Sequence, residues 1–472
     1  MAADRIAPPV AALFPEKGVR QSIDDHLTRA LAEAAARVLK GPVMPDIDMT
    51  VLRRELAAFD FAQPKPLEEL IGWAIGCLEH GTVHMMHPRY FGLFNPPSNF
   101  PSQCADRIAG AFNPQLASSG SSPAPVAIEQ HIIRAFAQRA GLPAESTGHF
   151  ATAGSEANCT ALICALTRAD PKFADEGVRA FKGPVAMYTS RECQPAWHKI
   201  AHQCGIGRSA LRLIATDGTG RMDMRALTEA VREDRRRGIV PVLISATAGT
   251  TGAGMVDPLG PCAALAREND IWYHVDAAWG GAALCSESLR GELAGIELAD
   301  SVTIDAHKWL ATTMGCGMFI ARAPAILSEA FRVGAEFMPS SAAGIDPYLN
   351  SVQWSRRFMG LRLFLSLACA GWEGYGAHVE RAVAVIECAK SRLLAKGWSV
   401  ANDSRLAVLC VLPPAGSAAV REIVRKVLTS NRAWVAVAKL EGREVVRICA
   451  THGETTLADI DELVAVLEAA AR

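Results

Sequence analysis

A mostly parallel β-sheet covered by helices on both faces is predicted for the larger part of this chain, and two observations predict it. Short runs rich in Val, Ile, Tyr and Trp, at 185–190, 242–246, 272–276 and just ahead of Lys308, alternate with helical patterns of ordinary length at 196–204 and 261–268. Thr247, Asp276 and Lys308 fall at the carboxyl ends of such runs, the edge on which open α/β sheets bind ligands.

The chain has 472 residues, enough for two or three domains. Half are hydrophobic and the formal net charge is -1, a balance that implies neither a nucleic-acid partner nor an anionic membrane surface. The first residues, MAADRIAPPVAALFPEKG, lack a basic segment followed by an apolar one, and no later apolar run reaches bilayer-spanning length. A cytoplasmic protein is expected. Thirteen scattered cysteines without a CxxC pair read as free thiols rather than disulfides.

Taken in order, residues 21–40 place apolar side chains at helical spacing behind an acidic first turn, an amphipathic arm that packs on a partner subunit or on its parent domain. After Pro64 and Pro66 a second helix is expected at 67–80. The stretch HPRYFGLFNPPSNFPSQ, 87–103, is too rich in proline for regular structure and reads as an ordered loop. Its Phe94 and Phe100 are either pocket walls or turn aromatics covered by another part of the fold. A small-residue loop at 116–130 runs into a helix at Ser122 and Pro123. Gly154 and Ser155 open a further helix, where a closely approaching backbone and free N–H groups favour a phosphate. Many helices open this way and bind nothing, so the turn needs support from elsewhere.

Beyond a strand at 315–321, the small, aperiodic segment 331–351 is a candidate lid. Helical spacing resumes at 354–369, with Arg356 and Arg357 near its start. A helix beyond Gly371 leads to a smaller unit with strands at 406–412, 434–440 and 445–449 and helices at 417–428 and 457–471. Thr456 and Asp459 form a capping arrangement at the last helix. The expected organisation is an N-terminal helical arm and dimerisation segment, 1–86, a large cofactor-binding domain, 87–370, and a small C-terminal α+β domain, 371–472.

An amine and a carboxylate on neighbouring strand ends suggest pyridoxal phosphate. Lys308 can form a Schiff base with a carbonyl, and Asp276 can hold a pyridinium nitrogen protonated. At about 4 Å and an effective dielectric near 20 that attraction is on the order of 4 kcal/mol, roughly three decades in an equilibrium. A neutral residue at 276 should therefore be very damaging.

Five blocks in order, HPRYFG, SPAPVAIE, TAGSEAN, HVDAAWGG with DAHKWL, and RRFMGLRL, resemble the group II pyridoxal-phosphate-dependent decarboxylases, the family of aromatic amino acid and glutamate decarboxylases. The tail REVVRICATHGETTLADIDELV is similar too, so the likeness covers nearly the whole chain from about His87. It implies the type I, aspartate-aminotransferase-like fold, a homodimer with each site near the subunit boundary, and loss of carbon dioxide from an L-amino acid. By the same resemblance Lys308 matches the Schiff-base lysine and Asp276 the partner of the pyridinium nitrogen. Gly154 and Ser155 match the phosphate-binding turn, His307 a residue of the cofactor environment, Thr247 a threonine near the ring's phenolic oxygen, and Ala278 the small residue against the ring. No metal is expected: His198 and His202, like His80 and His84, stand four apart without an acidic third ligand.

Two positions depart from the family's pattern. Where the family carries a histidine that stacks on the cofactor, this chain has Gln194, which can lie against a ring and donate a hydrogen bond but cannot titrate. His198, one helical turn on, either substitutes for it or faces solvent. Where the family's lid carries a tyrosine that protonates the carbon left by carbon dioxide, spacing from Lys308 places Phe337, and a positioned general acid contributes roughly 10² to 10⁴ in rate. In the family a phenylalanine there goes with aldehyde synthases. Tyr348, in the same segment, is the alternative acid.

The wall ahead of the SPA block, Ala117 to Ser121, is small and polar where aromatic decarboxylases carry bulky residues. Arg356 and Arg357 either meet a substrate carboxylate or are structural. The leading expectation is a carboxy-lyase that turns an L-amino acid, leaning to an aromatic type, into an amine and carbon dioxide. The second is a decarboxylation-dependent oxidative deaminase, for which Phe337 and Gln194 are the reason. The third is a non-catalytic dimer that binds pyridoxal phosphate, against which Lys308, Asp276 and the phosphate turn are all intact.

Overall fold

The computed structural model describes residues 8–334 and 345–472. Seven strands form the main sheet: β1 (Thr147–Ala151), β2 (Val185–Ser190), β3 (Leu211–Ile214), β4 (Val240–Thr247), β5 (Trp272–Asp276), β6 (Ser301–Asp305) and β7 (Gly317–Ala321), in the order β1-β7-β6-β5-β4-β2-β3. β1, β2, β5, β6 and β7 are buried along their whole length, which is why they read as continuous rather than alternating apolar runs. Neighbours from β3 through β6 pair in parallel, and only β7 runs against its two neighbours.

Side-chain alternation divides the core into two layers. Along β7, Met318 and Ile320 face one layer, Phe319 and Ala321 the other. Helices Pro123–Arg139, Met224–Arg236, Leu259–Glu268 and Gly360–Ala395 contribute to the first layer, and Gly154–Ala169, Ala196–Gln203 and Ala325–Phe331 to the second. A smaller antiparallel sheet follows, with β8 (Ser399–Val400), β9 (Val408–Leu412), β10 (Ala436–Leu440) and β11 (Arg443–Cys449) in the order β10-β11-β9-β8. Helix Val420–Thr429 packs on β10 and β11, and Leu457–Ala471 packs on that helix and on Gly360–Ala395. The last helix opens with a full capping box between Thr456 and Asp459.

The expected elements lie close to the observed ones, with β1, β3, β8 and helices such as Met49–Ala57 and Met224–Arg236 added and two corrections. A helix, Phe100–Phe112, begins inside the stretch 87–103 expected to be irregular: Asn99 Oδ1 caps it by accepting from the Ser102 N–H at 2.9 Å, and Pro101 is tolerated in its first turn. The helix expected from 354 begins only at Gly360. Arg356 is drawn inward instead: its Nη2 lies 2.7 Å from Glu129 Oε2, and its Nη1 donates to the carbonyl of Phe150 at 2.7 Å. A buried guanidinium needs those acceptors more than it needs a helical backbone. Arg357 pairs with Asp106 at 2.9 Å, so both arginines meet carboxylates of their own chain. The long helix then runs to Ala395 with a break at Gly371, where φ is 67° and ψ 177°, a conformation open to glycine.

Among the described residues no helix is long and apolar enough to cross a membrane, and the thirteen cysteines are free. Burial raises the pKa of Glu129 against the pull of Arg356 and the Gly360 N–H. Replacing Arg356 by Met strands that carboxyl group, and a loss of about 3–5 kcal/mol is expected from urea unfolding. Adding Glu129→Gln should return part of it.

Candidate active site

Strand register brings the site together. Thr247 at the end of β4 pairs with Asp276 at the end of β5, and Asp276 pairs in turn with Thr303 on β6. Past Asp305 the chain turns, with the Lys308 N–H donating to the Asp305 carbonyl at 3.2 Å. That turn returns the Lys308 Nζ to within 3.1 Å of Asp305 Oδ2.

Three aromatic rings tie these ends to the loop before the sheet. Phe94 stacks on Trp279 with centroids 4.0 Å apart and planes 12° from parallel, and Trp279 stacks on Trp309 at 4.7 Å and 6°. Trp279 follows Asp276 by three residues and Trp309 follows Lys308 directly, so the stack holds both strand ends at once. Lys308 Nζ lies 5.7 Å from the Phe94 centroid, and Arg447 lies over the same ring at 4.6 Å. Phe94 is therefore a wall beside Lys308, whereas Phe100 is 74% exposed.

The Asp276 carboxylate accepts from Asn158 Nδ2 at 2.8 Å and from the Ala278 N–H at 3.2 Å. Its pKa is held above the usual carboxylate range by complete burial, against the lowering pull of Lys308, Asn158 and the Ala278 N–H. A cationic group placed beside it would favour the ionised form further.

No side chain caps the helix Gly154–Ala169, which leaves its start free for an anion. A Cβ on Gly154 would lie 2.9 Å from Asp305 Oδ2 and 3.2 Å from the Ala278 methyl. Only glycine lets this turn come so near the strand ends, while the Ser155 side chain is exposed. The hydroxyl of Thr247 and Oδ1 of Asp305 are buried and unpartnered. His307 accepts from the Cys316 N–H through Nδ1 at 3.2 Å, and its Nε2 stands 3.9 Å from Asp305 Oδ2. Burial holds its pKa below the ordinary histidine value.

These residues fit pyridoxal phosphate. A buried carboxylate suits its ring nitrogen, an amine its carbonyl, an uncapped glycine turn its phosphate, and the orphaned Thr247 hydroxyl its phenolic oxygen.

The departures from the family pattern are placed as follows. Gln194 is exposed, and its side-chain carbonyl accepts the Ala196 N–H at the start of its own helix. The adjoining Cys193 thiol is pushed up to about 12 by burial, with Asp276 adding to the rise, so this loop passes near the carboxylate. His198 is half-buried on the same helix. Phe337 lies outside the described residues. Tyr348 is buried, its N–H donates to the Ala117 carbonyl at 3.0 Å, and its ring packs on Trp354 with centroids 4.9 Å apart.

The small polar wall is closed from within. Asp346 Oδ1 accepts from both the backbone N–H and the hydroxyl of Ser119 at 2.8 Å, and the hydroxyls of Ser118 and Ser121 are 3.0 Å apart. Sequence reasoning passed over Asn158, His274 and Asp305. The available signals were spacing: Asn158 stands one turn into the helix that Gly154 opens, and Asp305 three residues before Lys308.

A profile of the family described as the pyridoxal-dependent decarboxylase conserved domain matches residues 53–410. The aromatic-L-amino-acid decarboxylase of Bacillus atrophaeus is 27% identical over 447 residues, 91% of either chain. The L-2,4-diaminobutyrate decarboxylase of Rhizobium meliloti (strain 1021) is 33% identical over 305 residues, 64% of this chain and 60% of the other. The crystal structure of Oryza sativa TDC with PLP and tryptamine, 24% identical, superposes over 99% of both chains with a TM-score of 0.91 and shares the type I fold. The chain belongs to the pyridoxal-dependent decarboxylase family and is a pyridoxal-phosphate-dependent amino acid decarboxylase.

Proposed function

We propose that Lys308 and Asp276 are the two working ends of this site, and that the chain decarboxylates an L-amino acid of aromatic type as a cytoplasmic homodimer. One observation carries the assignment: an aromatic stack holds the turn after Asp276 against the turn that carries Lys308, with Lys308 the largest single influence opposing the burial of Asp276. When bound, the cofactor supplies an electron sink for the pair of electrons left as the carboxylate departs.

The chain's own groups then have distinct tasks. Lys308 would hold the cofactor at its carbonyl carbon, with the Asp305 carboxylate 3.1 Å from its Nζ to keep the side chain in place. Asp276 keeps a proton on the ring nitrogen. The N–H groups at Gly154 and Ser155 would take the phosphate, Thr247 would donate its free hydroxyl to the phenolic oxygen, and Ala278 would leave room for the ring. His307 supports this environment from beside Lys308. Gln194, with its carbonyl committed to Ala196, has only N–H groups to offer a ligand.

The aromatic lean is supported by the Bacillus relative, which matches 91% of the chain and is named for aromatic substrates. The diaminobutyrate relative is the counterweight, together with the small wall at Ala117 to Ser121. A second copy is supported by Phe100 and Phe112, at the two ends of one helix and 74% and 83% exposed. A cytoplasmic setting is supported by the free thiols. The division at 86/87 and 370/371 is supported by the separate sheets and by the backbone break at Gly371.

Borohydride reduction of the holoenzyme should fix the cofactor on the Lys308 peptide, read as a mass increase, and Lys308→Ala should abolish both that mass and turnover. Attachment elsewhere would reassign the site. Asp276→Ala should lower kcat by roughly 10³, the decades that about 4 kcal/mol represents.

Phe337 favours a second reading, so the product decides. Amine and carbon dioxide in equal amounts are expected from an aromatic L-amino acid. Aldehyde with stoichiometric hydrogen peroxide, disappearing in Phe337→Tyr, would make the enzyme an oxidative deaminase.

A further inference from the structure

Behind Asp276 lies a chain of buried polar groups that no step above uses. Asp276 Oδ2 accepts from Asn158 Nδ2 at 2.8 Å, and Asn158 Oδ1 lies 3.0 Å from His274 Nε2. His274 Nδ1 lies 2.8 Å from Ser301 Oγ, which accepts from Trp272 Nε1 at 2.9 Å. Each of these side chains is at most 4% exposed.

Chemistry gives this chain a single direction. An ionised carboxylate can only accept, so Asn158 turns Nδ2 to Asp276 and Oδ1 to His274; the indole N–H can only donate, so Ser301 accepts there and has its own proton left for His274 Nδ1. His274 then carries its proton on Nε2 and donates to Asn158 Oδ1, with Thr303 Oγ1 a more distant neighbour of the same nitrogen at 3.4 Å. The Asn158 amide is thereby oriented with its N–H₂ toward the carboxylate. Burial keeps His274 neutral, with its pKa down at about 3, so the chain delivers a dipole to Asp276 and no charge.

We propose that Asn158, oriented by His274 and Ser301, is a positioning residue that keeps Asp276 ionised and aimed at the cofactor's ring nitrogen. The proposal rests on the assignment of Asp276 to that nitrogen. Other groups bear on the carboxylate from several sides: Asp305 from the end of β6 and Lys308 from the turn after it, Cys193 from the loop after β2, and the Ala278 N–H from its own strand end. Of these, Lys308 is the group that the cofactor's carbonyl takes up. Asn158 and the Ala278 N–H are the donors that stay, and a donor to the charged form favours that form.

The test compares the binding of pyridoxal phosphate with that of its analogue carrying carbon in place of the ring nitrogen, by fluorescence titration of the full-length apoenzyme. Asn158→Leu should weaken pyridoxal phosphate by roughly 10- to 100-fold, the range of one hydrogen bond to a charged group, and leave the analogue's affinity unchanged. A purely structural role would weaken both ligands alike, and that result overturns the proposal, as does an unchanged preference in a folded variant. Asn158→Asp, which keeps the side chain's shape, carries the same comparison if the leucine variant does not fold. His274→Gln retains a neutral N–H donor and should preserve most of the preference that His274→Leu loses. Asp276→Ala is run beside them. If it leaves the preference intact, the ring-nitrogen assignment itself fails; if it removes the preference and Asn158→Leu does not, only the relay fails.

Discussion

A carboxylate at the centre of a parallel sheet is the constraint on which the rest of this structure depends. Moving an isolated carboxylate out of water costs more than the fold as a whole can spare, so Asp276 persists only with donors and a cation within reach. Asn158, the Ala278 N–H and Lys308 supply them from three different elements. Burial still outweighs the three together, since the pKa stays raised. A site in that condition is poised for one more positive group, and a ring nitrogen that gains a proton is such a group.

The aromatic stack answers a second demand, which is geometric. Asp276 ends β5 and Lys308 lies in the turn after the neighbouring β6, so each depends on a turn that would otherwise be free to wander. Trp279 and Trp309 are the residues just past those side chains, and their parallel packing at 4.7 Å fixes one turn against the other. Trp279 is anchored further by donating from Nε1 to the Leu406 carbonyl at 2.8 Å. Position in the site thus depends on the C-terminal part of the chain as well as on the sheet.

Much of the site was legible in the sequence because its main groups are local to strand ends. Thr247, Asp276 and Lys308 each follow a β-rich run, so spacing placed them near one edge, whereas Gly154, opening a helix, joined them only through the family resemblance. Asn158 was not legible in the same way: an asparagine inside a helix reads as a weak helix former until the partner 118 positions away is known. Arg356, in the stretch expected to be helical from 354, was not legible for the opposite reason. Its neighbours have helical spacing, and the pull of Glu129, more than 200 residues earlier in the chain, overrode that local preference. Long-range ion pairs and hydrogen bonds leave no periodic trace.

Asp305 completes the electrostatic argument. It gives the site two carboxylates, Asp276 and Asp305, against one ammonium on Lys308, and the ammonium touches Asp305 rather than Asp276. Asp305 also faces the turn at Gly154, since its Oδ2 is the atom nearest to a Cβ placed there. A phosphate arriving there would meet a neighbouring anion as well as the helix start. On the other side of that oxygen stand Lys308 Nζ at 3.1 Å and His307 Nε2 at 3.9 Å, so an ammonium offsets the anion from within the site. The Asp305 Oδ1 is buried without a partner, an acceptor still open to a donor. The two acidic residues thus differ in what holds them: Asp276 has two N–H donors, from Asn158 and Ala278, and Asp305 has the Lys308 ammonium.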